Sequence, residues 1–170
     1  MKAPRSITRH GERQWNSERR LCGWQESPLT ALGVCQVQWL GEALREVAFT
    51  AIDTSPSQRT RTTAELIGAH HACDILPQDA LRDLCKGDWE RKTREELQQR
   101  EPEAFAPFWS NLHLYQPSNG SESFCQVPHG SSRGLVPNRR GVETRGRLTT
   151  AHQPRIYRGW QEMKGFYDAG

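Results

Sequence analysis

The sequence changes character once, near residue 127, and that change limits the possible fold more than any average over the chain. Up to that point the chain carries the punctuation of an ordinary layered domain. Beyond it, residues 128–170 hold seven of the 14 Gly, and Leu135, Val136, Leu148, Ile156, Trp160 and Phe166 follow neither a strand nor a helix period. Charge divides at the same place: the overall +3 is −2 over 1–127 and +5 over 128–170. A balance so mild points to no partner by itself. A chain of 170 residues has the length of one domain, and 35% hydrophobic residues leave little apolar material beyond a single core.

Several classes drop out. No apolar run is long enough for a membrane-spanning helix, so no membrane association is expected. Met1-Lys2-Ala3-Pro4-Arg5-Ser6-Ile7-Thr8 has no apolar core of a secretion signal. Cys22, Cys35, Cys73, Cys85 and Cys125 are odd in number and widely spaced, with no CxxC. Free thiols in a reducing cytoplasm fit that pattern better than a disulfide scaffold or a thiolate zinc site. The basic tail lacks interleaved aromatic residues and reads as solvated, so no nucleic-acid partner is expected.

In the patterned part, Thr30 is placed to cap a helix from about 31 to 47, with Leu32, Cys35, Trp39, Leu40, Ala43, Leu44 and Val47 as its packed face. Val47 to Ile52 reads as a buried strand. Arg59 to Ala69 reads as a helix with Ala64 and Ile67 facing in. Thr93 and Glu96 match a capping box before a helix from about 94 to 100. Pro102 opens another helix, with Phe105, Phe108 and Trp109 on one side. This alternation predicts an α/β layered fold. Trp15, Trp24, Trp89 and Trp109 read as core or pocket wall, and His70, His71 and His113 as surface or packing residues.

The chemistry-bearing stretch is Thr8-Arg9-His10-Gly11-Glu12-Arg13-Gln14-Trp15-Asn16. A neutral imidazole is a good nucleophile toward phosphorus, and an adjacent guanidinium holds phosphate oxygens by bidentate, charge-assisted hydrogen bonds. Three further segments follow: Arg19 to Gly33, with Gly23-Trp24-Gln25-Glu26-Ser27-Pro28-Leu29-Thr30; Ile52 to Ala64, with Ser55-Pro56-Ser57-Gln58-Arg59; and Leu81-Arg82-Asp83-Leu84-Cys85-Lys86-Gly87-Asp88-Trp89-Glu90.

In order and spacing these segments resemble the histidine phosphatase superfamily, or phosphoglycerate mutase-like family, and within it the broad-specificity bacterial phosphatases. The resemblance covers about residues 7–127. It implies a three-layer α/β/α phosphoglycerate mutase-like fold and hydrolysis of small phosphomonoesters in the cytoplasm without metal or cofactor. By this resemblance His10 is the nucleophile that becomes phosphohistidine, and Arg9 and Arg59 clamp the phosphoryl oxygens. Asn16 orients the phosphate pocket, Gly23 lines the substrate pocket, and Asp83 protonates the leaving oxygen where the family usually has Glu. Phosphoryl transfer demands positioning and positive charge above all, which these residues supply.

The family also requires a second His at the end of a buried apolar strand in the C-terminal third. Asn119-Gly120-Ser121-Glu122-Ser123 still matches, but no apolar strand precedes His129 or His152. The C-terminal part is therefore expected to be incomplete or altered, with 1–127 a phosphatase-like domain and 128–170 an unpatterned basic tail that reads as out of frame. A one-nucleotide shift can turn the stretch around Glu143–Thr150 into a Leu-rich run. Impaired activity follows from that reading. A phosphoglycerate mutase, which needs a C-terminal lid, and a non-catalytic remnant are its alternatives.

Overall fold

A computed structural model describes residues 5–110, 120–122 and 146–151. Its sheet is built from β1 (Arg5–Arg9), β2 (Phe49–Thr54), β3 (Asp74–Pro77) and β4 (Gly146–Ala151). Among the described residues the order is β1-β4-β2-β3, and every pairing is parallel. The helices are α1 (Gln14–Ser17), α2 (Ala31–Ala43), α3 (Gln58–Gly68), α4 (Arg94–Arg100) and α5 (Pro102–Ser110). Strands alternating with helices around a parallel sheet make this an α/β fold, as the sequence predicts. No helix of the described residues is long and apolar enough to cross a membrane.

The strand β4 corrects the reading of 128–170 as patternless. It lies between β1 and β2, with Arg9 opposite Ala151 and Thr54 opposite Thr150. Leu148 is its large apolar residue, 1% exposed, and packs with Ile52 of β2 and Ala64 and Ile67 of α3. Its other buried positions are Thr149 and Thr150, and Thr150 Oγ1 donates to Thr54 Oγ1 at 2.9 Å. Hydroxyls that satisfy one another replace apolar side chains here, so a search for apolar periodicity passes over the strand. His129, and His152, which follows Ala151 in the sequence, lie outside the described residues, as does His113.

The polar β1 suits an edge better than a centre: it stands at one end of the described sheet, with Ile7 54% exposed. The helix α2 begins where expected, its Thr30 cap accepting from Gly33 N at 3.0 Å, but it ends at Ala43; of its expected face Leu40 and Leu44 pack on the core, while the fully buried positions are others. Gly33, Val37 and Gly41 point inward, whereas Trp39 and Leu32 are exposed. Small residues win because the backbone comes close: a Cβ on Gly33 would sit 2.0 Å from the Glu12 carbonyl oxygen. The capping box of Thr93 and Glu96 forms as read. Phe105 and Phe108 are buried against Trp89; Trp109 stacks on both Phe rings as expected, at 5.9 Å between centroids, but is half-exposed and carries the Arg94 guanidinium over its ring at 3.8 Å.

His71 gives the fold a pH dependence. Its ring meets Phe49 edge-on at 4.9 Å, and its buried Nε2 has no hydrogen-bond partner among the described residues. Burial, and then the neighbouring His70, lower its pKa. The folded state therefore favours the neutral ring. The stabilisation is present above the unfolded pKa of about 6.5 and is lost as pH falls through the lower folded value. The urea midpoint is expected to drop between pH 7.5 and 5.5. The drop is expected to be smaller in His71→Phe; equal drops in both proteins would contradict this.

Candidate active site

The site gathers at the C-terminal ends of β1, β2 and β4, where parallel α/β sheets place their ligand sites. His10 directly follows β1 and is buried. Its Nδ1 lies 2.7 Å from the Gly11 carbonyl oxygen. A carbonyl only accepts, so the tautomer that satisfies this contact carries its proton on Nδ1 and leaves Nε2 as the nucleophilic nitrogen. The loop after His10 is pinned on α2: Thr30 N donates to Glu12 O at 2.9 Å, and Thr30 Oγ1 donates to Glu12 Oε1 at 2.8 Å. Gly11 is required there, because a Cβ would lie 2.4 Å from the Gly33 carbonyl oxygen.

Arg59 enters from the first turn of α3 with a fully buried side chain. Its Nη2 donates to Gly23 O at 2.8 Å and lies 3.6 Å from Asp83 Oδ2. Its Nη1 donates to Glu26 Oε2 at 3.1 Å. The α3 backbone links it to the nucleophile loop, since Thr63 Oγ1 donates to Arg59 O at 2.8 Å and accepts from Gly11 N at 3.4 Å. The structure thus brings Arg59, Asp83 and Gly23 together and ties them to His10. Asn16 Oδ1 accepts from Arg13 Nε at 3.1 Å. Arg9 is exposed at the end of β1, and no ion pair joins it to these residues among those described.

Three further residues, to which the sequence motifs assign no role, stand in the site. Lys86 donates from Nζ to Cys22 O, and that ammonium lies 3.8 Å from Asp83 Oδ1, giving Asp83 two cationic neighbours. Arg13 is 4% exposed and sits at the N-terminus of α1. Glu90 is 5% exposed, and its carboxylate accepts from Trp24 N at 2.9 Å, Lys86 N at 3.0 Å and Gln25 N at 2.6 Å. Local signals were available: Arg13 lies within the His10 segment, and Glu90 closes the Leu81–Glu90 segment. What sequence could not give is that Glu90 sits against Gly23, where a Cβ would fall 2.3 Å from Glu90 Oε1. Trp24 is half-exposed rather than core, and its ring nitrogen donates to Asp83 O at 2.9 Å.

The Cys22 thiol is buried, and burial raises its pKa against the opposing pull of Arg13, Arg59 and Lys86. The four described cysteines are free.

Glu90 is a strut for the pocket wall. In Glu90→Ala three backbone N–H groups lose a charged acceptor, at a cost of about 2–4 kcal/mol. The thermal midpoint is expected to fall by several degrees; an unchanged midpoint would show that water replaces the carboxylate without loss.

A family model described as "Histidine phosphatase superfamily (branch 1)" matches residues 6–136. The chain belongs to the histidine phosphatase superfamily. Among relatives of this superfamily, it is 42% identical over 95 residues to the "Probable phosphoglycerate mutase GpmB" of Salmonella choleraesuis, a match covering 56% of this chain and 44% of that protein. The chain thus spans less than half the length of the curated relatives it matches. Its structure resembles Bacillus stearothermophilus YhfR with a TM-score of 0.78 and 39% identity, covering 87% of this chain and 73% of that one. It also resembles the alpha-ribazole phosphatase of Shigella flexneri, with a TM-score of 0.76 and 25% identity, covering 88% and 73%. The fold is accordingly that of the phosphoglycerate mutase-like histidine phosphatases.

Proposed function

We propose that the chain hydrolyses small phosphomonoesters through a phosphohistidine on His10, at a reduced rate. The observation that carries this reading is a buried imidazole that presents Nε2 when Nδ1 satisfies Gly11 O, on a loop tied by Thr63 to the buried Arg59–Asp83 pair. In the proposed reaction Nε2 attacks phosphorus in line. Arg59 balances charge on the phosphoryl oxygens, and Asp83 gives a proton to the leaving alcohol oxygen. Water then attacks the phosphohistidine, with the Asp83 carboxylate taking its proton, and inorganic phosphate leaves. Asp83 is one methylene shorter than the expected Glu, which lowers the rate of both steps.

The second His required by the resemblance is the other source of reduced activity. β4 supplies the strand, and His152 follows it, but Gln153-Pro154 stands where the family pattern continues with Gly. The buried Leu148 and Thr150 favour an in-frame reading of β4 itself. The coding DNA decides the remainder: a shifted frame that gives an apolar strand ending in Ser/Thr-His supports the out-of-frame reading of the tail.

Phosphotransfer between positions on one substrate is the second reading, favoured by the name of the Salmonella relative. Phosphate release from phenyl phosphate, measured beside isomerisation of a phosphoglycerate, separates the two. Slow release without isomerisation is expected; isomerisation without release would replace hydrolysis by mutase chemistry.

A further inference from the structure

Arg13 is a buried cation beside His10 that takes no part in the proposed reaction; Lys86, likewise unused, is engaged by Cys22 O and Asp83. The Arg13 side chain enters from the loop three residues after His10, at the N-terminus of α1. It is 4% exposed. Asn16 Oδ1 fixes one edge of the guanidinium by accepting from Nε at 3.1 Å, and it also accepts from Arg13 N at 3.4 Å. The far edge is different: Nη1 is buried and has no hydrogen-bond partner among the described residues. A buried guanidinium N–H without an acceptor is costly. An Arg held at its Nε side with an unpaired outer nitrogen is a donor awaiting an acceptor.

Its surroundings say what that acceptor is. Burial lowers the Arg13 pKa; Cys22, which also hydrogen-bonds the guanidinium, opposes the shift, Arg59 adds to it, and Asp83 opposes it. Arg13 therefore shares one electrostatic neighbourhood with the two residues assigned to the reaction. The Cys22 thiol, pushed up by burial, supplies no full negative charge to balance it. Arg59, by contrast, is already engaged by Gly23 O, Glu26 and Asp83.

The geometry points to Arg13 as an anion-binding residue of the His10 pocket, its Nη1 donating to an oxyanion of the substrate, with Asn16 as the positioning residue that aims it. This rests on the phosphomonoester reading and extends it. The oxyanion is either a phosphoryl oxygen or a second anionic group, such as a carboxylate, carried by the same small molecule. Both are planar or tetrahedral oxyanions that a guanidinium edge recognises in the same way.

The test is equilibrium binding of three probes to the full chain: inorganic phosphate, phenyl phosphate and 3-phosphoglycerate. Each is titrated against the parent, Arg13→Gln and Arg13→Lys, with circular dichroism and thermal midpoints recorded for all three. Loss of one charge-assisted hydrogen bond weakens binding about 10- to 100-fold. A loss of that size for all three probes in Arg13→Gln, partly restored in Arg13→Lys, assigns Nη1 to the phosphoryl group. A loss for 3-phosphoglycerate alone assigns it to the carboxylate. Equal affinities in parent and folded variants would overturn the inference and leave Arg13 a packing residue, and so would a parent that binds none of the probes. If Arg13→Gln does not fold, Arg13→Lys carries the decision through its spread among the probes. Binding needs no turnover, so a parent that binds phosphate in an Arg13-dependent way yet releases none from phenyl phosphate contradicts the hydrolase reading and not this one.

Discussion

Phosphate release from phenyl phosphate is expected to fall at least about 10³-fold in His10→Ala, to the rate without protein. The effect is large because no described neighbour can take over. Arg59 and Lys86 are cations engaged by carboxylates and carbonyls, and the Cys22 thiol is held neutral by burial. The substitution removes one buried ring whose Nδ1 contacts the adjacent Gly11 carbonyl. The fold is therefore expected to survive with a thermal midpoint within a few degrees of the parent. Retained release by a folded His10→Ala protein would assign the chemistry to another residue.

Arg59→Ala is expected to damage both stability and binding. The parent guanidinium satisfies Gly23 O at 2.8 Å and faces Asp83, whose side chain is 11% exposed. Removing Arg59 leaves Asp83 with Lys86 Nζ, 3.8 Å away, as its remaining cation, so the cost is about 3 kcal/mol, the low end for a broken buried pair. The Glu26 end adds little, since that side chain is 41% exposed and solvent screens it. For a domain of this size the loss lowers the thermal midpoint by about 10 °C. Arg59→Lys keeps the charge but not the fork that reaches Gly23 O and Glu26 from separate nitrogens. Its expected midpoint lies between those of the parent and Arg59→Ala, and its phosphate affinity is expected to fall about tenfold. A full-affinity lysine variant would show that Arg59 acts as a point charge only.

How far the sequence shows this architecture depends on the range of the interactions. The Thr93–Glu96 capping box and the Thr30 cap are local, complete within four residues, and both form as read. Ala64 and Ile67 face inward as the helical period requires. The face of α2 is only partly legible, Leu40 and Leu44 packing as expected, because period counting weights large residues. Here Gly33 and Gly41 bury the helix through close backbone approach, and Trp39 is left 68% exposed. Strand β4 is missed for a related reason: its interior is held by Thr149 and Thr150 beside a single Leu148. The role of Glu90 depends on partners far along the chain, such as the Trp24 amide that donates to it from 66 positions away, and the electrostatic surroundings of Arg13 on Arg59 and Asp83. The family resemblance found the segment containing each but could not tell which atoms it would face.

The central claim is that His10 carries the phosphoryl group. It is tested most directly by incubating the full chain with phenyl phosphate, quenching in base and locating bound phosphate by peptide mass spectrometry. Quenching in base preserves any phosphohistidine present during turnover. The expected result is phosphate on the peptide containing His10, stable in base, lost in acid and missing from His10→Ala. Phosphate on any other residue, or turnover with no phosphorylated peptide in a sample quenched during the reaction, would contradict it.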